Sequence, residues 1–320
     1  MRSLAFLIGF IICFFIFIDR LIFAPKKSFK TETGDIARFW QACDRLKQAH
    51  NTTDSINIIQ HQYLDQMSRS GKKFIEARGY TAREYVITLQ KYPKYFIELR
   101  KKTDRLSLQL PAIDTAFSKL NAAIPGFNYP DVCFAIGCFR GGGTKTKDKE
   151  TLLIGCEIAL ADSTMDISEF KGTLYHMFSH ADGNITALVA HESIHCQQWN
   201  GQNNSLLSMS LAEGGADFLT QLILHNNINR ALNTYGLQHE CALWQEFEPQ
   251  MNSTNISQWL YNASPNENRP ADLGYFIGRR ICEAYYNKQT NKKQAIVNLL
   301  NRGKYLIVMK ESGYNGSCKN

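Results

Sequence analysis

The segment His191-Glu192-Ser193-Ile194-His195 constrains this chain more than any other, because it places two imidazoles four residues apart. Residues at that spacing share one face of an α-helix, so both side chains can reach a single tetrahedral cation. Glu192 would then face a water molecule on that cation. The apolar residues before the motif, with Asp182 or Asn184 available as an N-cap, predict a buried helix. The alternative is an ordinary amphipathic helix whose histidines bind nothing.

A catalytic zinc ion needs a third protein ligand, and Glu213 offers one. It lies 18 residues after His195, a spacing that allows a helix, a turn and a second helix. Asp217 is one helical turn further and could accept the outer N–H of a ligating histidine, which would fix its tautomer. The glycines after Glu213 indicate that the second helix approaches the first closely. The sequence therefore predicts Zn²⁺ bound by His191, His195 and Glu213, with Asp217 behind them.

At these residues the chain resembles the gluzincin metallopeptidases, in which H-E-x-x-H is followed on a later helix by E-x-x-x-D. A wider likeness spans about residues 34 to 315 and is carried by segments 35–40, 127–137, 141–144, 153–155 and 269–278. Over this length the chain is similar to a bacterial family of predicted zinc-dependent proteases of unknown function, related to gliding-motility lipoproteins. The resemblance implies a zincin-like fold of the α+β class, mostly helical, with a small β-sheet or hairpin beside the metal helix.

The ligand set predicts a mechanism. Zinc bound by three protein ligands keeps a position for water, and Glu192 would act as general base toward that water. Tyr275 is the candidate to stabilise the oxyanion, with a core tyrosine as the alternative. The expected substrate is a peptide or protein. A non-peptide or cell-wall amide, and a catalytically silent envelope binding or assembly protein, stay open as alternatives.

The N-terminus predicts export or membrane association. Residues 4–18 form an uninterrupted apolar run behind a short basic start, so residues 1–24 are interpreted as a signal peptide or signal anchor and 25–33 as a linker. Membrane association through residues 4–24 and an exported location, periplasmic or membrane-anchored facing the periplasm, are expected, with secretion as the alternative. The basic residues after the run argue for the opposite orientation, in which the domain stays on the cytoplasmic side of the membrane.

The remaining 34–315 are predicted to form a single catalytic domain with a helical N-terminal half, because 44% hydrophobic residues supply an ample core. Between the two halves, apolar runs at 132–139 and 152–160 predict a β-hairpin with a basic, glycine-rich loop. An edge strand at 152–160 would have a candidate role in holding the substrate main chain, with a purely structural sheet as the alternative. The predicted helices are 33–48, 55–68, 81–91, 93–102, 113–123, 230–248 and 273–286.

Eight of the 9 cysteines follow the N-terminal segment, and an even number fits an oxidising compartment. We expect at least one disulfide, with a pair among Cys133, Cys138 and Cys156 favoured by their proximity to the predicted hairpin. Buried reduced thiols are the alternative.

The net charge of +7 has a local source in residues 69–105, where 11 Lys or Arg stand against 4 Asp or Glu. These charges recur at helical spacing around apolar positions, which is typical of solvated helix faces. No nucleic-acid-binding motif accompanies them, and no nucleic-acid partner is expected.

Overall fold

A computed structural model describes residues 28–201, 203–226, 228–262 and 269–318 of the 320. The predicted signal or anchor at 1–24 lies outside the described residues. Within the described part, no helix is both long and apolar enough to cross a membrane. The expected α+β class with helices predominating is confirmed: fifteen helices surround one small mixed sheet in the described part of the chain.

The N-terminal half is helical, as predicted. Thr81 caps the helix that follows it by accepting the amide of Glu84, and Pro93 occupies the first turn of the next helix. The predicted helix at 55–68 is shorter, because a π-helical turn at Gln60–Leu64 interrupts it. An additional helix follows it. The helices are α1 Gly34–Arg45, α2 Thr52–Ile59, α3 Arg69–Arg78, α4 Ala82–Lys91, α5 Pro93–Thr103 and α6 Leu110–Ala123.

The sheet contains four strands, β1 Thr31–Glu32, β2 Asp131–Ala135, β3 Gly143–Lys145 and β4 Thr151–Gly155, in the order β1-β2-β4-β3. β1 is parallel to β2, β2 is parallel to β4, and β3 alone is antiparallel to its neighbour.

The predicted hairpin of 132–139 with 152–160 is therefore wrong. Its two runs form the parallel strands β2 and β4, and β4 is buried at every residue, as expected of a central strand covered on both faces. The antiparallel partner of β4 is β3, which comes from the segment predicted to be the loop. The second run also ends early, because the short helix α7, Cys156–Ala159, begins immediately after β4.

The C-terminal half surrounds the metal motif. Its helices are α8 Gly172–Ser179, α9 Ile185–Gln197, α10 Leu206–Leu224, α11 Arg230–Gln238, α12 Glu240–Phe247, α13 Leu273–Lys288, α14 Lys292–Leu300 and α15 Tyr305–Ser312. The segment 230–248, predicted to be one helix, forms two helices that are interrupted at His239. The predicted helix at 273–286 is confirmed, with two further residues.

Glycines set the packing of α10 against α13. A Cβ atom at Gly278 would lie 1.7 Å from the carbonyl oxygen of Ser210, and one at Gly214 would lie 2.1 Å from the amide of Arg279. Only hydrogen fits at such approaches. The expectation that the glycines after Glu213 face the first metal helix is thus wrong, because Gly214 faces α13 instead.

Candidate metal centre

Helix α9 carries the two histidines into the interior. Asn184 caps it by accepting the amide of Ala187, which leaves the whole apolar run inside the helix. Residues on nearly every side of this helix are buried, so its histidines cannot turn to solvent. His191 and His195 are 5% and 8% exposed.

Helix α10 brings the third predicted ligand to the same point. His195 Nε2 lies 3.0 Å from His191 Nε2 and 3.0 Å from Glu213 Oε2, and His191 Nε2 lies 3.4 Å from the same oxygen. In a tetrahedral zinc site with bonds of about 2.0–2.1 Å, neighbouring ligand atoms are separated by roughly 3.3 Å. The three atoms are therefore spaced closely enough to hold one metal ion together.

Each histidine also has a partner for its outer nitrogen. His191 Nδ1 lies 2.8 Å from Asp217 Oδ1, and Asp217 in turn accepts the side-chain amide of Asn229 at 2.8 Å. His195 Nδ1 lies 3.0 Å from Gln198 Oε1. The Gln198 amide nitrogen donates to the carbonyl of Ala212 at 2.7 Å, which fixes the orientation of that side chain.

These outer contacts determine where the imidazole protons lie. Asp217 and the Gln198 oxygen are acceptors, so each Nδ1 must carry the proton that it donates. Both Nε2 atoms of the neutral rings are then proton-free and face each other and Glu213 Oε2. Three lone pairs directed at one point repel each other unless a cation lies between them. The protein's own hydrogen bonding therefore demands either a metal ion or an added proton at this point.

The pKa shifts of the ligands also indicate that a positive charge is favoured at this point. Burial opposes a charged His191, but the hydrogen bonds to Asp217 and Glu213 outweigh it and raise its pKa well above the usual value. Burial likewise opposes a charged Glu213, yet the charges of His195 and His191 lower the pKa of its carboxyl well below the usual value. A proton would satisfy two of the three atoms, whereas a metal ion satisfies all three.

The side chain of Glu192 extends from α9 toward the edge strand β3. A Cβ atom at Gly143 would come within 2.6 Å of the Glu192 carboxylate, so the glycine leaves the space that this side chain occupies. The edge strand beside the metal helix is thus β3, whereas the expected edge strand at 152–160 is the interior strand β4.

Two tyrosines lie at the centre. Tyr275 of α13 stacks its ring on His191, with 6.1 Å between ring centroids and 17° between planes. Tyr261 was not singled out from the sequence, yet its hydroxyl donates to Glu213 Oε1 at 2.6 Å while 55% of the residue is exposed. Gln198 was also missed. Tyr261 is 48 residues from Glu213, so only folding brings it there, whereas Gln198 lies three residues after His195 but belongs to no recognisable motif.

The predicted disulfide pair beside the sheet is wrong. Cys133, Cys138 and Cys156 are free and buried in the core. A disulfide is present elsewhere and joins Cys241 to Cys318.

The comparisons with known proteins identify one family. The family profile described as gliding motility protein GldB matches residues 26–316, which is most of the chain. The chain belongs to this family. Neither the curated proteins nor the solved structures contain a significant match.

Proposed function

We propose that this chain is a membrane-associated envelope protein of the gliding-motility type, with a zinc centre that hydrolyses amide bonds in peptides. One observation carries the zinc centre: ligand atoms from His191, His195 and Glu213 converge on one buried point with nearly tetrahedral spacing. The family match supports the envelope location, because its description refers to gliding motility and the family is of lipoprotein type.

Bound zinc would supply Lewis acidity, which polarises a carbonyl group and makes water nucleophilic near neutral pH. Glu192 would take the proton of the attacking water and deliver it to the leaving amine. Asp217 and Gln198 hold the two imidazoles in the tautomer that leaves Nε2 free for the metal. Tyr275 is proposed to donate to the developing oxyanion. Tyr261 positions Glu213 through the hydrogen bond to its second carboxylate oxygen.

The edge strand offers a means of holding the substrate. β3 pairs with β4 along one side only, and its other side is the outer edge of the sheet next to α9, where the Arg78 guanidinium donates to the Gly143 carbonyl at 2.6 Å. An extended peptide can add to the rest of such an edge through main-chain hydrogen bonds. A peptide bound there would pass Glu192, which contacts Gly143 of the same strand.

A second candidate function is a silent zinc centre in an assembly or binding protein. The family description favours it directly, since it names motility and no enzymatic activity. Zinc would then stabilise the contact of α9 with α10, and Glu192 would have no chemical role. A cell-wall amide as substrate is a variant of the hydrolase proposal, because the ligand set does not distinguish amide substrates.

One experiment separates these functions. The purified full-length protein is analysed for metal by mass spectrometry, and is then incubated with a quenched-fluorescence peptide library and with peptidoglycan fragments. The Glu192→Gln variant is the matched control. We expect one zinc per chain in both proteins, with cleavage by the wild type and a loss of at least about 10²-fold in the variant, because glutamine cannot accept the proton. Zinc without turnover would establish the silent centre, and absence of zinc would refute both.

A further inference from the structure

Three basic side chains gather at the C-terminal end of α9. They are Lys145 on β3, Lys149 on the turn between β3 and β4, and Arg302 at the start of the 3-10 turn Arg302–Lys304. Burial and the charges of Lys145 and Arg302 together lower the pKa of Lys149. Lys145 and Lys149 also act electrostatically on Cys196, which follows His195 on α9. We call these three residues the basic cluster.

The geometry of α9 and β3 relates the cluster to the metal centre. Alternate residues of a strand share a face, so Lys145 extends from the same face of β3 as Gly143, about 7 Å further along. Gly143 faces Glu192. On the helix, Cys196 lies one turn beyond Glu192 on the same side. Lys145 therefore lies beside the metal helix one turn beyond Glu192, in agreement with its influence on Cys196.

Within the described residues, no member of the cluster has a carboxylate partner. Lys149 donates to the main-chain oxygen of Gln198 at 2.5 Å. Arg302 reaches only the Asn203 carbonyl at 3.5 Å and the Met209 sulfur at 3.6 Å, and its Nε is buried without a hydrogen-bond partner. Lys145 is half-buried and has no side-chain hydrogen bond or ion pair among these residues.

Neither of the two carboxylates on the same turn pairs with the cluster among the described residues, because Glu150 is exposed and Asp148 is committed elsewhere. Asp148 accepts hydrogen bonds from Thr146 and from the amide of Glu150, and it pairs with Lys73 at 3.4 Å. Partly buried cations without a counter-charge are unfavourable, so the cluster favours an anion from outside the chain.

We propose that the basic cluster is a subsite for an acidic side chain of a peptide substrate, one or two residues from the bond that is cut. This inference rests on the proposed hydrolase function. A peptide added to β3 would run past the Glu192 side chain and then past Lys145, since Glu192 faces Gly143 and Lys145 extends from the same face of the strand as Gly143. Two residues of an extended peptide span about 7 Å, which matches the step from Gly143 to Lys145. Aspartate or glutamate at that position would receive charge-assisted hydrogen bonds from the cluster.

Binding is measured separately from cleavage. The probes are fluorescein-labelled ten-residue peptides of alanine, serine and leucine, in which one glutamate is moved along the chain, and matched peptides with glutamine. The zinc-loaded full-length Glu192→Gln protein binds them without turnover, and fluorescence anisotropy gives the dissociation constants. We expect glutamate at one or two adjacent positions to tighten binding about 10-fold relative to glutamine.

Two variants in the same background test the assignment. Lys145→Gln should remove most of the glutamate preference, and Lys145→Glu should transfer it to a peptide with lysine at that position. The matched control is Lys147→Gln, because Lys147 is exposed on the same turn and is not among the charges that act on Lys149 or Cys196. It should keep the full preference.

Equal binding of glutamate and glutamine peptides at every position, binding of neither, or an equal loss in Lys147→Gln would overturn the subsite. It would also be overturned if Lys145→Gln weakened binding to phosphatidylglycerol vesicles but not to peptides, because the anion would then be a lipid phosphate. The two proposals fail differently. If the wild type cleaves no amide but binds glutamate peptides with a Lys145-dependent preference, the hydrolase proposal is refuted and the anion-binding cluster stands. If the wild type cleaves peptides at the same rate with and without acidic residues, only the subsite proposal is refuted.

Discussion

At the scale of single residues, the candidate metal site was largely predictable, because its spacing is local. His191 and His195 are four positions apart, as are Glu213 and Asp217, so helical periodicity alone places each pair on one face. Gln198 was not predictable. It lies just past the end of α9, where no periodicity applies, and its role depends on the Ala212 carbonyl that orients it.

The contacts of Glu213, Asp217 and Gln198 predict an order of effects on zinc affinity. Glu213→Ala removes one of three ligand atoms and should lower affinity by orders of magnitude. Asp217→Asn and Gln198→Ala disturb only the outer hydrogen bonds of the histidines, so each should cost about 10- to 100-fold. Competition with a chromophoric chelator measures all three variants, with circular dichroism as a check on folding. If Asp217→Asn weakened zinc as much as Glu213→Ala, Asp217 would have to be a direct ligand.

At the scale of elements, helices were predicted better than strand pairing. A helix satisfies its hydrogen bonds within its own segment, and the caps at Thr81 and Asn184 are encoded within a few residues. A strand finds its partner elsewhere. The runs that became β2 and β4 give the same apolar signal in a hairpin and in a parallel pair, and the glycine-rich segment that forms β3 gave only a loop signal.

The close crossing of α10 and α13 should depend on Gly278 having only a hydrogen atom in place of a side chain. Gly278→Ala would place a methyl group 1.7 Å from the Ser210 carbonyl, which the backbone of α10 can relieve only by moving away. We expect a loss of about 3 kcal/mol or more in the free energy of unfolding, together with weaker zinc binding, because α10 carries Glu213. Chemical denaturation measures the first and chelator competition the second. The control is Gly215→Ala, whose Cβ would lie 3.4 Å from the nearest atom, the Cys282 sulfur. Equal stability of the two variants would contradict the tight crossing.

The short helix α7 predicts a pH dependence of stability. Glu157 is completely buried and accepts the amides of Gly137 at 2.8 Å and Phe139 at 3.2 Å, yet burial outweighs these bonds and raises its pKa to about 7. Between the ordinary value of 4.5 and about 7, the folded protein keeps a proton that the unfolded chain releases. The free energy of unfolding contributed by this group therefore falls as pH rises through that window, by at most about 1.4 kcal/mol per pH unit.

Denaturation of the wild type and Glu157→Gln across this range isolates the effect, since glutamine does not titrate and all other groups are shared. The wild type should lose stability relative to the variant up to about pH 7, and the difference should be constant above about pH 8. Curves that stay parallel from pH 4 to 8 would show that Glu157 titrates normally.

At the scale of the whole molecule, a covalent link closes the C-terminal half. The Cys241–Cys318 disulfide spans 77 residues and joins α12 to the segment that follows α15. Non-covalent contacts support the same closure. Tyr314 packs its ring against Trp244, 5.0 Å between centroids, and donates to Glu240 at 2.9 Å. Cysteine number predicted a bridge, but the pairing depends on which helices meet, and that is decided by long-range packing.

Removal of this link should therefore destabilise the protein without altering its metal ligands. A disulfide that closes a loop of this length contributes about 2–4 kcal/mol, chiefly by restricting the unfolded chain. We expect that loss in the Cys241→Ala, Cys318→Ala double variant, measured by chemical denaturation, while one zinc per chain is retained. Reduction of the wild type should give the same loss and should leave the double variant unchanged, which separates the bridge from the effect of the substitutions. A reducing agent that left the wild-type unfolding curve in place would mean that the folded chain alone, through Tyr314 and α15, holds the C-terminal half closed.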